Sequence, residues 1–342
     1  MKSNLIIVLM LVLLWETESN AQTNKTVFYA ASWNFENLFD TLDNPITDDA
    51  QFLPEGEYKW TSERYYRKLE NLSRVIRSMN EIYGPDILGI MEIEEKAALE
   101  DLLRLHFCDK NYGIAYSVSD DARGVDTGLL FNRNLFDTVK TESLKIIRSD
   151  GDKTRNILHV ILTDQRSRLL HVFVNHWPSR RGGEDVSEQH RINAANVLRK
   201  KVDEIFAEDV NTNIIIMGDF NDMPDNRSIK EYLHANEFDC DSTTAEPGEL
   251  YNLATYYFRK GEGTYKHQSN WNMLDQMIIS GSMLVGNDFR HYCKTFRIIK
   301  PDFLVSRNDK YKGEPYPTYN FSYYIGGFSD HFPVGALFKI VE

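Results

Sequence analysis

The chain of 342 residues carries only three cysteines, Cys108, Cys240 and Cys293, too few for a disulfide framework and in no spacing that suits a metal. At most one bridge can form among them, and a cysteine left over ordinarily packs as a small hydrophobe. With 10 Pro, 19 Gly and no low-complexity run there is no room for a long linker, and no internal period marks a solenoid or propeller. Positive charge is also short. The 39 Lys and Arg face 51 Asp and Glu, a net charge of −12, which argues against a protein that holds nucleic acid mainly by neutralising many phosphates. An enzyme that meets phosphates through metal ions stays open. A dinucleotide-type glycine fingerprint and a nucleophilic serine elbow are both missing, so redox and acyl-transfer chemistry find no support.

Long apolar runs are missing too, apart from one. Leu5 to Trp15 is uninterrupted, follows the positive Met1-Lys2 start, and precedes the small residues Ser19-Asn20-Ala21. That run is short for a bilayer span and has the form of a signal peptide over residues 1–21. The expectation is a secreted protein, extracellular or periplasmic, with one domain over 22–342, no stable membrane association, no protein partner and a monomeric state.

What is present is an ordinary globular composition, 42% hydrophobic and 26% charged, able to bury a large core. Thr26 to Trp33 reads as a buried strand, and Leu69, Leu72, Val75, Ile76 and Met79 give a helical face stopped by Gly84-Pro85. Further strands are expected near 87–91, 128–131, 144–147, 157–162, 169–174, 213–217, 275–279 and 333–338, with a second long helix over about 188–206. Strands outnumber helices and several follow one another directly, unlike a regular (β/α) barrel.

The chemically capable residues cluster at strand ends. Trp33-Asn34, Met91-Glu92, Asn175-His176 and Gly218-Asp219-Phe220-Asn221 each close an apolar run, while Ser329-Asp330-His331 precedes one. Strand ends hold side chains rigidly with their tips free, which suits a site assembled from separate segments. Any one of them alone is more simply a turn or cap residue. The carboxylates and amide at 219–222, behind Ile214 to Met217, suit a hard cation.

Taken in order, Trp33-Asn34, Asp86 to Glu92, Asn175 to Arg180, Gly218 to Asn221, Asp275 and Ser329-Asp330-His331 resemble the endonuclease/exonuclease/phosphatase superfamily, in its secreted bacterial deoxyribonuclease-like branch. The resemblance implies an α+β, four-layer α/β/β/α sandwich of two packed mixed sheets flanked by helices. It implies His331 as the catalytic histidine with Asp275 orienting it, and His176 as a second histidine oriented by a carboxylate, for which Asp126 is the candidate. Asp219 and Asn221 would hold the nucleophilic water or the transition-state oxygens. Glu92, with Asn34 and Asp330 as oxygen ligands or orienting groups, would bind Mg²⁺, with Ca²⁺ or Mn²⁺ as companions. One departure is visible: Met91 stands where the family often has Gln, so a supporting hydrogen bond is expected to be lost.

Arg180, beside Arg181 and Gly182-Gly183, is the expected phosphate clamp on a mobile loop, assisted by Arg155 and Arg191, against the plain alternative of a solvated face. The expected activity is a divalent-metal-dependent nuclease acting on DNA, and also RNA as a second polymer. Its first alternative is hydrolysis of small or lipid phosphoesters of the inositol phosphate or sphingomyelin type. The remote alternative is a non-catalytic binding protein on the same fold.

Overall fold

The structure is a computed structural model that describes residues 26–342; the expected signal segment, 1–21, lies outside the described residues. Its principal strands are β1 (Val27–Leu38), β2 (Ile87–Ile93), β3 (Tyr112–Ser117), β4 (Asp126–Asn132), β5 (Phe136–Leu144), β6 (Ile157–Asp164), β7 (Leu169–His176), β8 (Asn213–Asp219), β9 (Asp275–Ser280) and β10 (Val334–Ile340). The long helices are α1 (Ser62–Ser78), α2 (Lys96–His106) and α3 (Glu184–Glu208).

The strands form two seven-stranded sheets. One runs Phe289–His291, β10, β1, β2, β4, β3, with Arg297–Ile298 also on β10; the other runs β5, β6, β7, β8, β9, Leu250–Asn252, Ala235–Glu237. Both are mixed, since β1 runs parallel to β2 and β7 parallel to β8 while most other pairs are antiparallel.

Strand alternation sets the layers. On β1, Phe28 and Ala30 face the space between the sheets, while Tyr29, Ala31 and Trp33 face α1 and its Leu69, Leu72, Val75 and Ile76. On β8, Ile215 and Met217 join that same central core, while Ile214 and Ile216 pack under Ala195, Leu198 and Val202 of α3. Three apolar layers thus separate helix, sheet, sheet and helix, the α+β sandwich. Each such buried Leu, Ile or Val contributes roughly 1.5–3 kcal/mol, so the layering rather than any polar contact holds the frame.

Among the principal strands and long helices, three differ from the sequence expectation. β5 spans 136–144 rather than 144–147; it is an edge strand of exposed polar residues with only Phe136 buried, so it shows no apolar run. β3 and α2 carry no expectation at all, although Ala98, Leu99 and Leu102 give α2 a buried stripe.

The topology fixes where chemistry gathers. The carboxyl ends of the parallel pairs β1/β2 and β7/β8 point to one edge of the sandwich, and β9 and β10, antiparallel to β8 and β1, begin at that edge.

Candidate active site

Register brings the site residues together. His176 lies opposite Asp219 across β7 and β8, and Asp275 lies opposite Asp219 across β8 and β9. Gly218, at φ +138°, makes this approach feasible: a Cβ there would sit 2.0 Å from the Asn175 carbonyl oxygen. Asn34 ends the regular pairing of β1, and Glu92 sits at a bulge in β2 with its backbone left-handed at φ 61°. Such a bulge re-aims a side chain, and backbone strain of this kind is concentrated at functional sites. Asn221, at φ 51°, is a second left-handed residue of the same edge.

His331 is buried and held from several sides. Its Nδ1 lies 2.7 Å from Asp275 Oδ2, its carbonyl accepts the indole N–H of Trp33 at 2.9 Å, and its backbone N–H donates to Ser329 Oγ at 3.0 Å. The Tyr265 ring lies 4.8 Å from the imidazole, centroid to centroid. The other ring nitrogen, Nε2, faces Asp219 Oδ2 at 4.0 Å. Burial works to lower the proton affinity of His331, but Asp275, Asp330 and Asp219 outweigh it and hold the imidazolium form well above its ordinary range.

Asp219 is the centre of the cluster. Its Oδ1 accepts the Asn221 N–H at 2.9 Å, and its Oδ2 accepts the amides of Asn34 at 3.2 Å and Asn221 at 3.3 Å. His176 Nε2 approaches Oδ2 at 3.8 Å and Glu92 Oε1 at 3.6 Å. Burial pushes the Asp219 carboxyl up to about 6, against the pull of His331 and with the help of Asp275 and Glu92. Burial likewise raises Asp330 to about 6, with Glu92 and Asp219 adding to the rise against His331 and Lys68.

A family model described as "Endonuclease/Exonuclease/phosphatase family" matches residues 29–339. The chain belongs to this family. Among solved structures, truncated TDP2 from Caenorhabditis elegans is similar at 16% identity and a TM-score of 0.55, covering 92% of this chain and 97% of its own. An endonuclease/exonuclease/phosphatase family protein from Bacteroides thetaiotaomicron is similar at 15% identity and a TM-score of 0.57, covering 93% of this chain and 98% of its own. A mannosyl-6-phosphatase from the same organism is similar at 15% identity and a TM-score of 0.56, covering 90% and 98%. Likeness at these identities is likeness of fold. Among curated proteins no sequence matches the chain.

Within this family member, several sequence expectations need correction. Asp126 does not orient His176: its carboxylate accepts the Tyr116 hydroxyl at 2.5 Å and the Ser119 N–H at 2.7 Å. The Nδ1 of His176 is buried with no hydrogen-bond partner among the described residues. Burial, with Arg155, Arg123 and His331 adding like charge, holds its pKa well below the ordinary histidine value. Arg155 and Arg191 are not phosphate ligands but buried ion-pair members. Arg155 bonds Asp121 at 3.2 Å and the Trp177 carbonyl at 2.7 Å, and Arg191 Nε pairs with Asp222 at 2.6 Å. Arg180 is half-buried and is engaged by the Asn221 carbonyl at 2.7 Å, Asn226 at 3.0 Å and the exposed Glu184 at 3.0 Å. It ties down the 219–226 loop. Asn34, expected as an oxygen ligand or orienting group, donates its amide N–H to Asp219 at 3.2 Å and accepts the Glu36 N–H on Oδ1 at 2.9 Å, so it orients Asp219.

The place of the expected Gln is filled by Met91, whose sulfur accepts the Ser32 hydroxyl at 3.8 Å; Glu92 is steadied instead by the Asn37 N–H at 2.9 Å on its Oε2. The remaining Oε1 of Glu92 and the Asp330 carboxylate, which has no hydrogen-bond donor among the described residues, are the open oxygen donors. No closed group of three His, Cys, Asp or Glu ligands exists among the described residues. An ion that binds through one or two carboxylates and keeps its waters, as Mg²⁺ does, needs none. Two half-buried carboxylates with open oxygens, Asp330 being pushed up by burial and by Glu92 and Asp219, therefore fit a hard divalent cation.

Two contributors carry no sequence expectation. Lys68 of α1 is fully buried and donates to the Phe328 carbonyl at 2.7 Å and the Thr318 hydroxyl at 2.5 Å, beside Glu36 Oε2 at 3.7 Å. Glu36 in turn accepts the Thr318 N–H at 2.6 Å, and burial pushes its carboxyl up to about 7 against the attraction of Lys68. This pair pins the segment that leads into Asp330. Its signal is a lysine inside an otherwise apolar helical stripe, between Tyr65, Leu69 and Leu72.

Proposed function

We propose that this family member is a secreted, divalent-metal-dependent phosphodiesterase acting as an endonuclease on DNA, with RNA as a second polymer. The observation that carries this reading is the buried Asp275–His331 pair, with Nε2 turned toward Asp219. A carboxylate on Nδ1 fixes the ring, and in the neutral form that a cation offsetting Asp330 and Asp219 would favour, Nε2 is left to take the proton of an attacking water. Asp219, braced by Asn34 and Asn221, orients that water. His176, kept neutral by its surroundings, offers Nε2 as a hydrogen-bonding group to a phosphoryl oxygen. Glu92 and Asp330 would hold the cation, which when bound supplies charge neutralisation for the phosphoryl oxygens and for the crowded carboxylates. Export is supported by the apolar N-terminal run and by the Cys240–Cys293 disulfide, a bond that persists in oxidising compartments.

The test is incubation of the purified protein with closed-circular DNA, single-stranded RNA and a small phosphomonoester, in Mg²⁺/Ca²⁺ or EDTA, beside His331→Ala. Nicking that EDTA and the substitution both abolish is the expected result. Phosphate release from the monoester with intact polymers would overturn the choice of substrate.

A further inference from the structure

Beside Asp330 opens a groove of about 2290 Å³, walled by α1 on one side and by the 303–328 segment on the other. It is too large for a compact small-molecule pocket, which typically holds about 300–1,000 Å³. Its lining mixes charge: Glu63, Glu70, Glu314 and Asp330 stand beside five cations, of which Arg67 and Lys266 are paired with Glu70 and Glu314. Arg64, Arg74 and Arg307 line it and have no carboxylate partner among the described residues, in a chain where most other arginines are spent on Asp or Glu. The Arg64 guanidinium lies 4.3 Å from the Tyr324 ring centroid and Arg74 lies 3.9 Å from that of Phe303, so each sits over an aromatic ring.

Aromatic rings face solvent in the same groove. Tyr66 projects from α1 at 50% exposure, and Phe321 projects from the opposite wall at 88%. Phe321 is the turn residue of a short hairpin, Tyr319–Asn320 with Tyr323–Tyr324, and its φ of 54° is a conformation that favours glycine or asparagine. A bulky ring here gains nothing from burial. It stands with its π-face open to the groove.

Arginines without a carboxylate partner, Arg64 donating to the Tyr58 carbonyl, combined with exposed rings along an open groove are the pattern that tracks a single strand, phosphates on the cations and unstacked bases on the rings. A duplex keeps its bases stacked inside and offers the rings nothing. Resting on the phosphodiesterase reading above, we propose that this groove binds a single-stranded polynucleotide and leads it past Asp330, so that the preferred substrate is a single strand or an unpaired segment. Lys68, under Thr318 and Phe328, fastens the outer wall to the centre that the strand must reach.

The experiment uses the full chain with His331→Ala to suppress turnover, and reads fluorescence anisotropy of a labelled oligothymidylate, its abasic counterpart and a duplex. The single strand is expected to bind about tenfold tighter than either of the other two, the worth of one stacked base. Phe321→Ala and the pair Arg74→Glu/Arg307→Glu are each expected to cost about tenfold in binding of the single strand. All three residues are exposed or on loops, and the same changes placed in the otherwise wild-type chain should leave hydrolysis of bis(p-nitrophenyl) phosphate intact, which reports a folded, working centre. Unchanged single-strand affinity in both variants, or equal affinity for duplex and single strand, overturns the groove assignment while leaving the phosphodiesterase reading in place. Tight, variant-sensitive binding by a wild-type chain that hydrolyses no phosphodiester supports the groove and overturns the activity instead.

Discussion

Two histidines meet the same Asp219 oxygen, one from each sheet, in opposite electrostatic states. His331, entering the last strand of the first sheet, has a carboxylate on Nδ1 and two more nearby, and it holds its proton tightly. His176, at the end of β7 in the second sheet, has nothing on Nδ1 and arginines behind it, and it stays neutral. Burial acts downward on both, so the difference comes from neighbours alone. The lesson is that residue type and strand-end position mark a histidine as available, whereas the charges packed behind it decide what it does.

The sharpest way to break this contrast is to remove the charged member. His331→Ala is expected to lower kcat on a phosphodiester by about 10⁴-fold, the upper range for a lost general acid–base group. Asp275→Asn leaves the ring in place but takes away its anchor, making His331 resemble His176; a loss of about 10³-fold in kcat with nearly unchanged thermal stability is expected. A third histidine isolates the burial effect. His291, buried between Phe238 and Phe338 with both ring nitrogens unpartnered, is pushed down to about 4 by desolvation alone. Because its folded pKa lies below the ordinary 6.5, its neutral form is favoured in the folded state. The stability it supports is fully present above pH 6.5 and is lost as pH falls toward about 4. Relative to His291→Phe, wild type should therefore lose about 3 kcal/mol of unfolding free energy between pH 7 and pH 4, measured by urea titration.

His176→Gln is expected to cost about 10² in kcat, with turnover rather than KM affected, as for a neutral hydrogen-bonding group at the transition state. The smallest effect sharpens the comparison from the other side. Asp126→Asn should leave kcat within about twofold and lower stability by about 1 kcal/mol, because Asp126 serves Tyr116 and Ser119. A large kcat loss there would mean that His176 does depend on a carboxylate.

The frame was legible where the signal is local. β1, β2, β7, β8, β9 and β10 announce themselves by apolar runs, and the six segments at their ends are those the register gathers around Asp219. β5 was displaced because an edge strand with one buried residue has no alternation to read. The arginines were misread for a different reason. A guanidinium is ordinarily exposed, and nothing local tells that Arg155 will meet Asp121 or that Arg191 will meet Asp222 inside the fold. Asp126 failed similarly: its place at the start of β4 was visible, but the direction of its carboxylate depends on Tyr116 from a neighbouring strand. Lys68 was the reverse case, a charge in an apolar stripe whose meaning appears only with Glu36 and the 316–328 segment beside it.

The pairing of β1 with β10 also has a consequence in time. Trp33 holds His331 across nearly the whole chain, and Ser32 pairs with Val334, so the first described strand waits for the last. A nascent chain, or a fragment cut before Ser329, carries Asn34, Glu92, His176, Asp219 and Asp275 but neither Asp330 nor His331. Contacts of such long sequence separation form late and slowly. Under the proposed activity the polypeptide is inert throughout synthesis and acquires its hydrolytic power in one closing step, a latency that comes from chain order and requires no inhibitor.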